Sequence, residues 1–580
     1  MLLGCTQDAG RRTQNALNEQ RRIVFLSFFL CLFSFLICSF TQAQDRCAEP
    51  LSYTPVTAPQ RIEWSKFPDF NLPFTIVYGG PRMGDVQGQP LRHGFSHIST
   101  MQDAEFGTVV QPRQRAIEWS GFAFGLSQPW EFAESPWNND LNAYRARWNR
   151  YLRDVSGNTR TANGKYNIQA DILMVDLERI HETDARILRL KTDPSTPPAY
   201  RTLPDDQFLL RYKKDMTALY AEGLRYIREQ ADLTNARLST YSDSPILNTF
   251  VNVVGNSWSD WSTNPARVHY LLKDTTNFAH VGGPFYDRLD YVSPSAYYYN
   301  DYSSALGPDF LAYMLFQIEA NRAWTTKPVM PFVWMRYHDC CGNYPNFIRP
   351  EMAEATAIFP FFSGAKGLWL WDVPGFDNPS STIYRPNDVY TAYESFVHGL
   401  YRLSRFADMF EGNYELVIPK PARDLMEARE PVWRGVVKGD NILIVAQNPY
   451  APEGAKTTIT VRHQNFSRDI ILTGRQVYLC QFNKTAVTAL PEQPAFTDLT
   501  LTPNPVQQQC TVTFSAARAG EVEFQIINLL GQVVYQKPIR ASLGLNRQQL
   551  DTHHFSTGLY IVRVKNEQGT IQSRLLRTAD

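Results

Sequence analysis

"ADILMVDLERI", residues 170–180, decides how this chain is read. In a strand, successive side chains alternate between faces. Ile172, Met174, Asp176 and Glu178 then point one way, and Leu173, Val175 and Leu177 point the other. The second face is apolar throughout. The first begins apolar and turns acidic at its C-terminal end. A surface strand would be polar along one whole face. A strand inside a parallel barrel fits better, because barrel sites gather at the C-terminal ends of the strands.

The flanking sequence agrees. Over residues 60–412, apolar or β-branched runs alternate with helical stretches. "PFTIVYGG", "HGFSHIS", "RAIEWSGFAFGL", "ADILMVDLE", "ARLSTYSDSP", "RLDYVSPSAYYYN", "KPVMPFVWMRYHD" and "AKGLWLWD" read as eight strands. "DLNAYRARWNRYLRDV", "FLLRYKKDMTALYAEGLRYIREQA", "DFLAYMLFQIEANRAW", "EMAEATAIFPFF" and "DVYTAYESFVHGLYRLSRFADMF" read as helices, the fourth ending at Pro360. The expected fold is α/β, a (β/α)8 TIM barrel with inserted loops. On this count residues 170–178 are strand four, and Asp176 and Glu178 stand at its catalytic mouth.

After the barrel the pattern changes to short strands separated by turn residues. Residues 413–486 predict a small β-sandwich, expected to pack on the barrel, and residues 497–580 a second small all-β domain. At the other end, Arg21 and Arg22 precede the apolar run "IVFLSFFLCLFSFLICSF", followed by "TQAQD". This is the plan of a signal peptide, residues 1–43, cleaved after Ala43, with no membrane span left after its removal. The 57 basic and 57 acidic residues balance, so net charge gives no reason to expect a nucleic acid or an anionic membrane as partner.

Three of the eight cysteines, Cys5, Cys31 and Cys38, fall in the presequence. Export permits disulfides among Cys47, Cys340, Cys341, Cys480 and Cys510, but an odd count leaves one thiol over. The adjacent Cys340 and Cys341 are expected to reach different partners or stay reduced. No CxxC or histidine cluster has metal-site spacing, so no metal or cofactor is expected.

Three motifs in the last domain carry a resemblance. "PNP" at 503–505, "NLLGQVV" at 528–534 and "TGLYIVRV" at 557–564 resemble the C-terminal sorting domain of the type IX secretion system. The resemblance implies passage through the inner and outer membranes by that machinery, with release or surface attachment and removal of the domain.

The two acids suggest the chemistry. Two residues apart on one strand face, their Cα atoms lie about 6.5–7 Å apart. A nearby negative charge and partial burial favour keeping one carboxyl protonated, as a general acid requires. Protonating a leaving oxygen is what glycosidic cleavage needs. The bland alternative is a strand end whose acids cap loops or pair with basic residues.

A second resemblance then becomes visible. Barrel-type chitinases carry D-x-x-D-x-D-x-E on this strand; "DILMVDLE" keeps Asp171, Asp176 and Glu178 and has Met174 at the middle acid. Hyaluronidases also lack that middle acid and end the run in D-W-E, where this chain has Leu177 between the acids. "VSPSAYYY" is similar to their Y-P-S-I-Y, matching Tyr297 to the last Tyr, and "GAKGLWLWD" is similar to their GAAGIVIWG, matching Trp371. The match covers roughly residues 170–375, and the first half hardly aligns.

The resemblance implies substrate-assisted cleavage of an N-acetylhexosamine-containing polysaccharide, hyaluronan-like or chitin-like. Glu178 would protonate the leaving oxygen. Asp176 would hold the acetamido N–H, Tyr297 would donate to the acetamido oxygen, and Trp371 would floor the sugar, with Tyr241 as a further substrate contact. Asp171, on the opposite parity at the strand start, is expected to be structural. The alternatives are a two-carboxylate glycosidase on a non-acetylated glycan, using Glu118 or Asp372 as the second acid, and a non-catalytic surface glycan-binding or adhesion protein. His338 and Asp339, on the loop after the seventh strand, could contact substrate or simply be solvated.

Overall fold

The computed structural model describes residues 45–49, 51–81, 88–100, 110–119, 135–177, 182–247, 253–484, 496–566 and 569–579. Residues 1–43, read as a signal peptide, lie outside them. Chain packing divides the molecule into two units, Met1–Thr485 and Ala486–Asp580. No helix among the described residues is long and apolar enough to cross a membrane.

The first unit is built on a parallel sheet of seven strands: β1 (Thr75–Gly79), β2 (His97–Thr100), β3 (Arg115–Trp119), β4 (Ile172–Asp176), β5 (Arg237–Tyr241), β6 (Phe332–Trp334) and β7 (Gly367–Trp371). Their order in space is β5-β4-β3-β2-β1-β7-β6. Each falls on a run read as a strand from the sequence, β2 extending one residue beyond its run.

The remaining run, "RLDYVSPSAYYYN", is not a regular strand. It lies between the two edges and joins them by isolated parallel bridges, Tyr241 to Ser293 on one side, Val292 to Val329 and Ser295 to Phe332 on the other. The N–H groups of Val292 and Ala296 donate to the carbonyls of Pro328 and Phe332 at 2.9 Å. Pro294, between them, has no N–H to give, which breaks the ladder. Where eight strands were expected, the described residues form seven strands and one bridging segment, a barrel-like arrangement.

The alternation read in the opening stretch separates two cores. Ile172 and Met174 join Val77, Ala116, Tyr291, Met330, Phe332 and Trp369 inside the sheet. Leu173, Val175, Leu238, Val333 and Leu368 face outward into the larger core shared with the helices. Those helices include α1 (Leu141–Val155), α2 (Asp205–Gln230), α3 (Phe310–Trp324), α4 (Pro350–Phe362) and α5 (Thr391–Ser404). Asp140 caps α1 by accepting the N–H groups of Asn142 and Ala143. Gly223 of α2 admits α1: a Cβ there would lie 2.6 Å from both Trp148 Nε1 and Tyr144 Oη. Pro360 does not end α4, which runs on to Phe362; in the last turn its missing N–H removes one bond without breaking the helix.

Asp171 precedes β4 at the end of the sheet opposite Asp176. It pairs with His97 at 3.1 Å, Arg113 at 3.0 Å and Arg237 at 3.0 Å, gathering the starts of β2, β3 and β5. Burial raises its pKa, but the hydrogen bonds from His97, Arg113 and Arg237 outweigh that and hold it well below the usual carboxylate range. A depressed folded pKa contributes stability that is present above the unfolded value of about 4 and is lost as pH falls through the folded one. Asp171→Asn is therefore expected to lower the melting temperature at pH 7, with the gap to wild type closing below about pH 4. Thermal melts of both proteins across pH 2–8 test this; a gap that stays constant over that range would refute it.

The rest of the first unit is a β-module: β8 (Glu415–Val417), β9 (Val432–Lys438), β10 (Asn441–Gln447), β11 (Lys456–His463), β12 (Phe466–Thr473) and β13 (Tyr478–Asn483). β9 and β10 turn at Gly439, whose φ of 56° suits glycine. β8, β9, β10 and β13 form one sheet, and β11 and β12 a separate hairpin. Ile442, Ile444 and Phe482 face the hairpin, and Val436, Leu443 and Val445 pack into the main core. The sheet gains a fifth strand from the chain's beginning: Arg46–Cys47 pairs with β13, and Cys47 is disulfide-bonded to Cys480.

The second unit comprises β14 (Phe496–Thr502), β15 (Gln509–Ala516), β16 (Gly520–Asn528), β17 (Val533–Ala541), β18 (Gly544–Asp551), β19 (Gly558–Asn566) and β20 (Gly569–Arg577). They make a three-stranded sheet, β14-β15-β18, and a four-stranded sheet, β17-β16-β19-β20. Val512, Phe514, Phe524, Ile526, Val562, Val564 and Leu575 share one core.

Candidate functional site

Registers set the ring of side chains at the C-terminal end of the parallel sheet. Asp176 pairs with Tyr241, Trp334 with Trp371, and Trp371 with Gly79. Residues paired across neighbouring strands point to the same face. Asp176, with the parity of Ile172 and Met174, therefore faces the interior at its open end. It is 7 % exposed. Glu178, two residues further on, lies outside the described residues.

The aromatic residues singled out from the sequence meet here. The rings of Tyr241 and Tyr297 stack at 6.0 Å, and those of Tyr297 and Trp371 at 5.9 Å. Tyr297 is the buried centre of the row, while Tyr241 and Trp371 are half-buried. The Tyr241 hydroxyl donates to Ser295 Oγ at 3.2 Å. Asp176, Tyr241, Tyr297 and Trp371 thus share one mouth, brought together from three strands and the bridging segment.

Three further residues were not singled out. Trp334 packs against Trp371 at 4.7 Å and against Tyr297 at 5.4 Å. Its signal was parity: in "PFVWMRYHD" Trp334 repeats the alternation that places Trp371 on β7. Tyr344 packs on Trp334 at 5.8 Å, and no local pattern pointed to it. Arg336 is fully buried and bridges Asp372 and Asp388, with Nε 3.0 Å from Asp372 and Nη2 2.7 Å from Asp388. Asp372 also accepts from the Trp334 indole N–H and the Val373 N–H, both at 2.9 Å. Its carboxylate is occupied in holding the wall together. Glu118, paired in register with Met174, is half-buried on the interior face.

His338 lies beside the same wall, its ring 6.0 Å from Tyr297 and 5.0 Å from Tyr299. Burial holds its imidazole below the ordinary histidine value, against the pull of the Asp339 carboxylate. Next in the chain, Cys340 and Cys341 are bonded to each other. This corrects the expectation of separate partners or free thiols. Among the described residues Cys510, buried in the second unit, is the free cysteine, its thiol pushed up to about 11 by burial. Among the described residues, Asp551, His553 and His554 of the second unit bring metal-ligand atoms within 4.8 Å of one another, and all three are exposed.

In the second unit the three motifs of the last domain serve turns and closure. Asn504 accepts from the Leu576 N–H and donates to the Arg574 carbonyl, clasping β20. The Asn528 side chain accepts the N–H groups of Leu530 and Gln532, and Gly531, at φ 80°, completes that turn. The Tyr560 hydroxyl donates to the Ser556 carbonyl at the entry to β19. Residues 500–577 match the family described as the secretion system C-terminal sorting domain.

The C-terminal unit is a type IX sorting domain.

The sorting domain marks the protein for export, followed by secretion or attachment to the cell surface. No curated protein matches the chain. Among solved structures it is similar to bee venom hyaluronidase, at 12 % identity over 57 % of this chain and 99 % of that one, with a TM-score of 0.36. It is also similar to a Cellulomonas fimi endo-β-1,4-mannanase double mutant, at 10 % identity over 91 % and 100 % of the two chains, TM-score 0.29. A third similar structure is Bacteroides uniformis β-glucuronidase 3, at 10 % identity over 88 % and 64 %, TM-score 0.27.

Proposed function

We infer that the protein is an exported glycoside hydrolase cleaving N-acetylhexosamine-containing polysaccharide with help from the substrate's own acetamido group. The observation that carries this reading is the shared mouth: Asp176 with Tyr241, Tyr297 and Trp371 at one end of a parallel sheet. Aromatic faces suit the C–H faces of a sugar, and a buried carboxylate beside them suits a developing positive charge. Glu178 protonates the leaving oxygen. The acetamido oxygen attacks the anomeric carbon, the glycosidic bond breaks, and the departing oxygen takes the proton from Glu178. Asp176 steadies the acetamido N–H and the cyclic cation that results. Tyr297 donates to the acetamido oxygen, and Trp371 and Tyr241 hold the ring. Water then opens the cyclic intermediate, so configuration is retained.

A conventional pair of carboxylates would need another acid at the mouth. The Asp372 carboxylate is held by Arg336, the Trp334 indole and the Val373 N–H, which favours Glu118 of the two acids named. The test is initial rate on matched acetylated and de-N-acetylated oligosaccharides of the hyaluronan and chitin types. Turnover of the acetylated members alone is expected, since the others lack the nucleophile. Equal rates on both would refute acetamido participation and favour Glu118 as a second acid. Binding without turnover of any glycan would leave a surface glycan-binding protein.

A further inference from the structure

The loop after β6 does more than connect. Residues 337–346 fold back on themselves: the Tyr337 N–H donates to the Asn346 carbonyl at 3.0 Å, and the Asn346 N–H to the Asn343 carbonyl at 2.9 Å. Both ends are tied to the site. Arg336 Nη1 donates to the Pro345 carbonyl at 3.0 Å while its other nitrogens hold Asp372 and Asp388. Asn343 Nδ2 donates to the Tyr299 carbonyl at 3.2 Å, and the His338 N–H donates to the Tyr298 carbonyl at 2.7 Å. The loop tip carries the Cys340–Cys341 bond, with both residues exposed. A bond between neighbouring residues closes a small covalent ring and removes backbone freedom, and it persists in the oxidising space to which the sorting domain directs the protein.

Tyr344, half-buried in this loop, extends the aromatic wall. Ring contacts run without a break from Tyr241 through Tyr297, Trp371 and Trp334 to Tyr344 and on to Phe376. A row of rings longer than one sugar residue suits a chain of sugars, and a half-buried tyrosine at its end can offer a ring to one of them. A loop already fixed in its bound shape loses little freedom on binding.

We propose that the 337–346 loop is a second saccharide-binding subsite, with Tyr344 as its stacking platform and the Cys340–Cys341 ring as the device that preorganises it. This rests on the glycosidase reading and adds a preference for longer chains. The experiment compares kcat/KM on long and short N-acetylated oligosaccharides of defined length, in the full chain. In Tyr344→Ala the long-to-short ratio should fall about 2- to 12-fold, the size of one lost aromatic stacking contact. Tyr344→Trp should retain the ratio. Cys340→Ser with Cys341→Ser should lower it in the same direction, with thermal melts showing that the fold survives; if that double variant does not fold, Tyr344→Ala decides. A ratio unmoved by Tyr344→Ala overturns the subsite and leaves the glycosidase reading standing. A wild-type protein that turns over no N-acetylated glycan overturns both.

Discussion

Glu178→Gln should cut turnover of an N-acetylated oligosaccharide by about 10²–10⁴-fold, the usual worth of a general acid. The amide keeps the shape and has no proton to give, so KM should change less than kcat. Asp176→Asn should lose a comparable amount, about 10²–10³-fold, because the charge facing the cyclic cation is gone. The pair differs in substrate dependence. A substrate with an activated leaving group needs no proton, so it should rescue Glu178→Gln and not Asp176→Asn. Steady-state rates on activated and unactivated substrates separate the two roles. Loss of rescue in Glu178→Gln, or full activity in Asp176→Asn, would sink the assignment of these roles to the two acids.

Arg336→Met should cost the first unit about 3–5 kcal/mol of stability, because removing one partner of a buried pair leaves the other charge uncompensated. Here two carboxylates, Asp372 and Asp388, lose their common partner. Burial pushes the guanidinium pKa down, and Asp372, Tyr393 and Asp388 together more than reverse it. The guanidinium also lies over the Phe347 ring, at 3.9 Å, so packing is lost as well. Adding Asp372→Asn should recover part of the loss, since the two sites share one network. Denaturant midpoints of wild type, single and double variants measure this. A single variant within about 0.5 kcal/mol of wild type would mean the network is not stabilising.

Local patterns carried much of the fold. Alternation in "ILMVD" separated interior from exterior without any knowledge of neighbours, because a strand offers only two faces. Helical spacing found α1 and α2, and the motifs at 503–505, 528–534 and 557–564 pointed to the sorting domain by their resemblance to it; in the structure they make a clasp, a turn and a strand entry. The segment around Pro294 was misread as a full strand. Its composition is that of a strand, but ladder bonds depend on which neighbour each N–H faces, and that is set by pairing.

The sequence by itself determined the parity of Asp176, the aromatic character of the "SAYYY" and "LWLW" runs and the export route, since each is written in contiguous residues. Tertiary structure alone decided that Tyr241, Tyr297 and Trp371 form one row, because their contacts join residues far apart in the chain. It also decided the partner of Asp372: nothing near "LWLWD" announces that Arg336 will be buried against it. Pairing of Cys47 with Cys480, 433 residues apart, is of the same kind. Its partner is chosen by the closing of a sheet, and a chain read in order carries no record of which strands will meet.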